Sequence, residues 1–149
     1  MAVEVNNLTA VSVREGILRE AAELVLRKEG GLRNDLSIAL VGQTRMRRLN
    51  KIYRGKNKST DVLSFLSDKA QQKQFYGQTR NMGEVIISLP DVKKNAVRFN
   101  VASEDELLNA LVHGILHLLG YNHEKTKKEA KIMFAKEKQY FRAINKITF

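Results

Sequence analysis

Residues 103–123 read SEDELLNALVHGILHLLGYNH, and the rest of the chain is best read outward from them. Leu107, Leu108, Ala110, Leu111, Ile115, Leu116 and Leu118 recur at helical spacing over much of the circumference, which places this helix in the middle of the structure. Ser103 with Glu106 reads as a capping box that starts the helix. Gly120 reads as the left-handed cap that ends it.

The chain has three histidines, and all fall in this stretch: His113, His117 and His123. A spacing of four puts His113 and His117 one turn apart on one helical face, where two imidazoles can share a metal ion. The turn at Gly120 lets His123 bring a third nitrogen from outside the helix. Three nitrogens with an open fourth position form the ligand set of a catalytic zinc, although imidazole also accepts nickel, copper or iron. Unrelated histidines are the competing explanation, and two unpaired imidazoles on so apolar a helix would be costly to bury. The spacing H-x-x-x-H-x-x-G-x-x-H is that of metzincin proteases, but Gly114 stands where those enzymes carry a glutamate as general base. A protease reading is weakened accordingly.

Working outward, Leu36 to Val41 is a short, partly β-branched apolar run that reads as a strand. Thr44 to Tyr53 reads as a helix with Met46 and Leu49 inward and cations outward. Val62 to Leu66 and Glu84 to Leu89 read as two more strands, and the polar segment between them, Ser67 to Met82, is of a length that usually serves function or motion. A short helix with Ala96, Val97 and Phe99 follows Pro90. Ser12 with Glu15 makes a second capping box ahead of an amphipathic helix that stops at Gly30-Gly31, and Lys125 to Lys146 resumes a helical pattern. Alternating strands and helices predict a mixed α/β fold.

At 149 residues the chain is one domain's worth, 1–149, and 43% hydrophobic with 28% charged residues excludes a disordered or collagen-like chain. It has no cysteine, so disulfide scaffolds, thiolate zinc fingers and cysteine nucleophiles are excluded. Met1 to Ala10 lacks the features of a signal peptide and no apolar run reaches the length of a membrane span, so a cytoplasmic location is expected. The net charge of +10 favours a polyanionic partner.

Taken with three other segments, the histidine stretch resembles the YbeY family of bacterial endoribonucleases, or ribosomal RNA maturation factors. Leu49-Asn50 with Tyr53-Arg54-Gly55-Lys56 is similar to that family's L-N-x-x-Y-R-x-K. Ser59 to Phe65 contains its T-D-V-L-S-F strand, and Gly83 to Ser88 is similar to G-D/E-I-x-I-S. His113 to His123 is similar to H-G-x-L-H-L-x-G-Y-D-H. Asn122 departs from the usual aspartate, and Leu66 stands where a proline usually follows. The resemblance implies a zincin-like α/β domain with a small mixed sheet beside the metal helix. It implies metal-dependent cleavage of single-stranded RNA in maturation of the 16S ribosomal RNA 3′ end and in ribosome quality control, with the ribosome or its small subunit as partner and no membrane association.

Metal ligands are therefore expected at His113, His117 and His123, with one zinc ion as cofactor, and His113 and Arg54 are the candidate catalytic residues. Arg54 is assigned to the extra negative charge of a phosphodiester transition state, a role the resemblance also implies. Arg45, Arg47, Arg48, Lys51, Lys56 and Lys58 flank it without an intervening acid and are candidates for an RNA-backbone track. Phe75 and Tyr76 could stack on bases, whereas Tyr53 is expected to pack. Asp61 and Glu84 are candidate acid/base or supporting carboxylates, and the lysines from Lys125 to Lys138 read first as a solvated face. The competing readings are a metalloprotease-like zinc hydrolase and an RNA- or ribosome-binding factor with a structural metal.

Overall fold

The computed structural model describes residues 2–30, 35–67 and 81–148. Its elements run β1 (Val3–Asn7), α1 (Glu15–Lys28), β2 (Asp35–Val41), α2 (Gln43–Arg54), β3 (Val62–Leu66), β4 (Asn81–Ser88), α3 (Leu89–Phe99), α4 (Ser103–Leu118) and α5 (Lys127–Thr148). The predicted strands and helices all form, and the predicted mixed α/β class holds. The polar segment expected to be functional or mobile lies, for residues 68–80, outside the described residues.

The four strands form one sheet in the order β1-β2-β4-β3. β1 and β4 both run parallel to β2, while β3 runs antiparallel to β4 and closes one edge. Side chains alternate across the sheet, which sorts the residues of β2 between two cores. Leu36, Ile38 and Leu40 join α1, α4 and α5 on one face, and Ala39 and Val41 join Met46 of α2 on the other. α4 is the helix of the larger core, with Leu108, Leu111, Val112, Ile115 and Leu116 all essentially inaccessible.

Three local expectations need correction. β1 is an additional strand, short enough that its two apolar residues, Val3 and Val5, are a weak signal before pairing with β2. Neither capping box forms: α1 starts at Glu15 with Arg14 as cap, and α4 starts at Ser103 with Ala102 as cap, neither with a side-chain cap bond. Glu106 is buried beside Asp61 and so cannot reach back to the helix start. Arg14 instead ion-pairs with Glu104, joining the first turns of α1 and α4. Val97 and Phe99 of α3, and Phe134 of α5, are exposed and contribute nothing to the core.

The end of α4 forms as expected. Gly120 has φ +101°, its N–H donates to the His117 carbonyl at 3.1 Å, and the Tyr121 N–H donates to the Leu116 carbonyl at 3.0 Å. That pair of bonds is a Schellman motif, and it turns the chain sharply back over the helix. At Gly83 the backbone has φ +149°, and a Cβ would lie 2.1 Å from the Phe65 carbonyl oxygen of β3. Gly83→Ala is therefore expected to lower unfolding free energy by about 3 kcal/mol in a denaturant titration, through strain at a special φ and a clash with backbone; a loss within error of zero would show that β3 can move away freely.

Candidate metal centre and cleft

α4 and the turn that follows bring the three histidines together. Their ligand atoms all lie within 4.8 Å of one another, and the group could hold a metal ion. The Nε2 atoms of His113 and His117 approach to 3.1 Å, and the His123 ring lies 5.0 and 5.1 Å from the other two ring centroids. His113 and His117 are half-buried and His123 is exposed. Burial first, then the neighbouring histidines and Arg54, push the His117 imidazole below its ordinary range, with only Glu124 opposing. A ring held neutral in this way keeps its lone pair for a ligand role.

No motif or spacing marks the carboxylate behind His113. Glu137 of α5 accepts a hydrogen bond from His113 Nδ1, and its side chain is 17% exposed. With Nδ1 carrying the proton, the Nε2 lone pair points into the cluster, the arrangement found behind metal-ligating histidines. Glu137 sits among lysines on a helix that reads as solvated, and only the packing of α5 on α4 brings it under the imidazole.

A second carboxylate holds the turn that carries His123. Glu29, at the end of α1, accepts hydrogen bonds from Tyr121 Oη at 2.6 Å, from Lys136 Nζ at 3.2 Å and from Tyr140 Oη. Burial would raise the Glu29 carboxyl, but these three donors outweigh it and the net shift is downward. Chiefly through its bond to Glu29, the Tyr121 hydroxyl is pushed up to about 12.

The histidines open onto a cleft of about 740 Å³ between α4 and the β3 edge, with Arg54, Lys56, Lys58 and Asp61 among its lining residues. The basic run is thus divided: Arg45, Arg47, Arg48 and Lys51 are exposed on α2 outside the cleft, and Arg47 Nε donates to Asn57 Oδ1 at 2.9 Å. Tyr53, expected to pack, is instead 63% exposed at the cleft and meets Phe65 edge-on with centroids 5.0 Å apart. Phe75 and Tyr76 lie outside the described residues.

Of the two candidate carboxylates, Asp61 lines the cleft and Glu84 does not. Glu84 shares a face of β4 with Ile86, which packs in the core on the α2 side, so alternation points it away from α4. Burial raises its carboxyl, with a hydrogen bond from Ser37 acting the other way. Gly114, in place of the protease glutamate, packs against the sheet. A Cβ there would lie 2.7 Å from Val85 Cγ1 and 3.0 Å from Val62 Cγ2, so a glutamate has neither the room nor the direction to serve the cleft.

A mixed sheet with a central helix whose histidine cluster could hold a metal ion, and with no glutamate in the second position of the motif, sets the fold and site apart from the metzincin peptidases. The profile of the family described as Endoribonuclease YbeY matches residues 3–145, and this chain belongs to that family. An endoribonuclease YbeY of Persephonella marina is 39% identical over 89% of this chain and 85% of its own. That of a Sulfurihydrogenibium species is 42% identical over 87% of this chain and 82% of its own. A Thermotoga maritima protein known from a solution structure superposes with a TM-score of 0.64 at 32% identity, covering 95% of this chain and 88% of that one.

Two outcomes test these supports. Glu137→Gln should weaken metal binding about 10- to 100-fold in a chelator competition while leaving the far-ultraviolet circular dichroism unchanged; wild-type affinity would show that the bond to His113 is incidental. Because the Glu29 carboxyl is lowered in the folded state, its stabilisation is present above the unfolded value of about 4.3 and is lost as pH falls through the folded value. Acid unfolding of Glu29→Gln should accordingly show a shallower loss of stability below that pH than wild type, and parallel curves would remove Glu29 from the acid limb.

Proposed function

We propose that this chain is a metal-dependent endoribonuclease that cuts single-stranded RNA, acting in the cytoplasm on ribosomal RNA, at the 16S 3′ end, during maturation and quality control of the small ribosomal subunit. The observation that carries the reading is the convergence of His113, His117 and His123 on a cleft whose other wall presents Arg54, Lys56 and Lys58. Zinc is the first choice for three imidazole nitrogens. When bound, it would supply Lewis-acid polarisation of a phosphoryl oxygen and lower the pKa of a coordinated water.

The chain's own residues account for the remaining work. Glu137 fixes the His113 tautomer, so that Nε2 faces the cluster. Arg54 places a guanidinium beside the histidines, where it can bind the scissile phosphate and offset the charge that builds up as the bond breaks. Lys56 and Lys58 extend that cationic wall along the cleft and favour the RNA backbone without reading sequence. Tyr53, exposed at the rim, offers a face for an unpaired base, which favours a single strand over a stacked duplex. Asp61 is the carboxylate on the β3 side of the cleft, where it accepts hydrogen bonds from Thr60 Oγ1 and Asn95 Nδ2, each at 3.5 Å. The packing of Gly114 disfavours the protease alternative.

Cleavage of single-stranded ribosomal RNA fragments by metal-quantified protein should be proportional to bound metal. His117→Ala should lose metal and activity together, and Arg54→Ala should keep the metal while kcat falls about 10²- to 10³-fold. Cleavage of a peptide with RNA left intact, or RNA binding with no cleavage by fully metallated protein, would overturn the reading.

A further inference from the structure

A second cationic surface lies between α1 and α5. It is a groove of about 710 Å³ whose wall includes Lys28, Lys138, Arg142 and Lys146 and no carboxylate. None of its lining residues lines the histidine cleft. On α5, Arg142 is about 140° around the helix from Glu137, so the groove and the metal centre occupy different faces of that helix.

Like charges three or four residues apart oppose helix formation, yet Lys138, Arg142 and Lys146 are stacked at intervals of four. Among the described residues none of the four cations of the groove is in an ion pair. Glu29, next to Lys28 in the chain, is already engaged by Tyr121, Tyr140 and Lys136. Helix dipoles favour a cation at the last turn, which accounts for Lys28 and Lys146 singly, and Lys138 Nζ lies 4.5 Å from the Phe134 ring centroid, but neither accounts for Arg142 or for the convergence of all four. Leu24, Ala135 and Ala143 contribute apolar surface and Gln139 an amide, so a strand lying in the groove would meet both charge and hydrogen-bonding groups. Cations repeated at one-turn intervals along α5 suit the repeating phosphates of a strand laid along the helix.

We propose that the α1–α5 groove is a second RNA-backbone site, which holds a stretch of substrate remote from the scissile bond. The proposal rests on the ribonuclease reading above. It makes the enzyme favour long RNA over a fragment that only spans the cleft, and contacts to phosphate there add affinity without sequence information.

The test uses full-length, metal-loaded protein with Lys28→Gln and Arg142→Gln combined, a long single-stranded ribosomal RNA fragment, and a short oligonucleotide confined to the cleft. Kd for the long RNA should rise about tenfold near 0.1 M salt, and the slope of log K against log salt should shrink by about 1.4 for two lost single-strand contacts. Metal content and turnover of the short oligonucleotide should stay at wild-type values. Unchanged affinity and slope for the long RNA would overturn the proposal and leave the nuclease reading intact. An equal loss on the short oligonucleotide would also overturn it, since the cations would then act through the overall field or the fold. Binding to phosphatidylserine vesicles that the double variant loses, with RNA affinity unchanged, would overturn it in favour of a membrane. Wild type that binds long RNA but cleaves neither substrate would sink the nuclease reading itself.

Discussion

The approach of α4 to the sheet at Gly114 is the constraint on which the histidine cluster depends. With no side chain at that position, the helix backbone settles against Val85 of β4 and Val62 of β3, and Ser64 Oγ donates to the Gly114 carbonyl at 2.8 Å. This close seat fixes both the height and the rotation of α4 over the sheet. His113 and His117 lie on either side of Gly114 in sequence, so the rotation that buries Val112, Ile115 and Leu116 also sets where the two imidazoles emerge beside β3. A side chain at 114 would push the helix off the sheet and displace the ligands together with the core. In the peptidases the same position carries chemistry, whereas here it carries packing.

Much of this was legible in the sequence because the informative features are local. Apolar periodicity marks α4, the spacing of four pairs two histidines, and a glycine before the third gives the turn. Turn and ligands are encoded within one stretch, so no long-range knowledge is needed to bring them together. What was not legible is what tertiary packing decides. Glu137 and Glu29 are ordinary charged residues until α5 and α1 place them beneath His113 and Tyr121. Glu84 sits in a family motif but on the wrong face of β4, a distinction that depends on the register and on the irregularity at Gly83. The capping box at Ser103 failed for a similar reason, because burial of Glu106 near Asp61 outweighed a local bond available only at the helix start.

The charge of +10 is likewise resolved by position and not by number. A run of cations along the chain looks like one track, but α2 turns its residues around an axis, and only Arg54 at its end and the lysines that follow come to the cleft. Gly55, with φ +69°, ends α2 and redirects the chain so that Lys56 and Lys58 follow Arg54 along the cleft wall. The cations of α5, read from sequence as a solvated face, are divided in turn: Lys136 closes onto Glu29, while Lys138 and Arg142 join the groove against α1. Sequence clustering therefore groups cations that the fold distributes over separate surfaces.

The substitution of Asn122 for the aspartate common in this motif shows which property of the position matters to the fold. Asn122 Oδ1 accepts a hydrogen bond from the Glu124 N–H at 2.9 Å, closing a short turn directly around His123. An aspartate carboxylate makes the same bond with the same reach, so the turn and the placement of His123 are preserved by either residue. What differs is charge. Glu124 already brings a carboxylate to 3.9 Å from His123 Nε2, and Asn122 avoids adding another beside it in a cleft that Asp61 also lines. The turn therefore keeps its geometry through an oxygen acceptor alone, and the electrostatic balance between the histidine cluster and the cationic wall is left to Asp61, Glu124, Glu137 and Arg54, which approach from different parts of the fold.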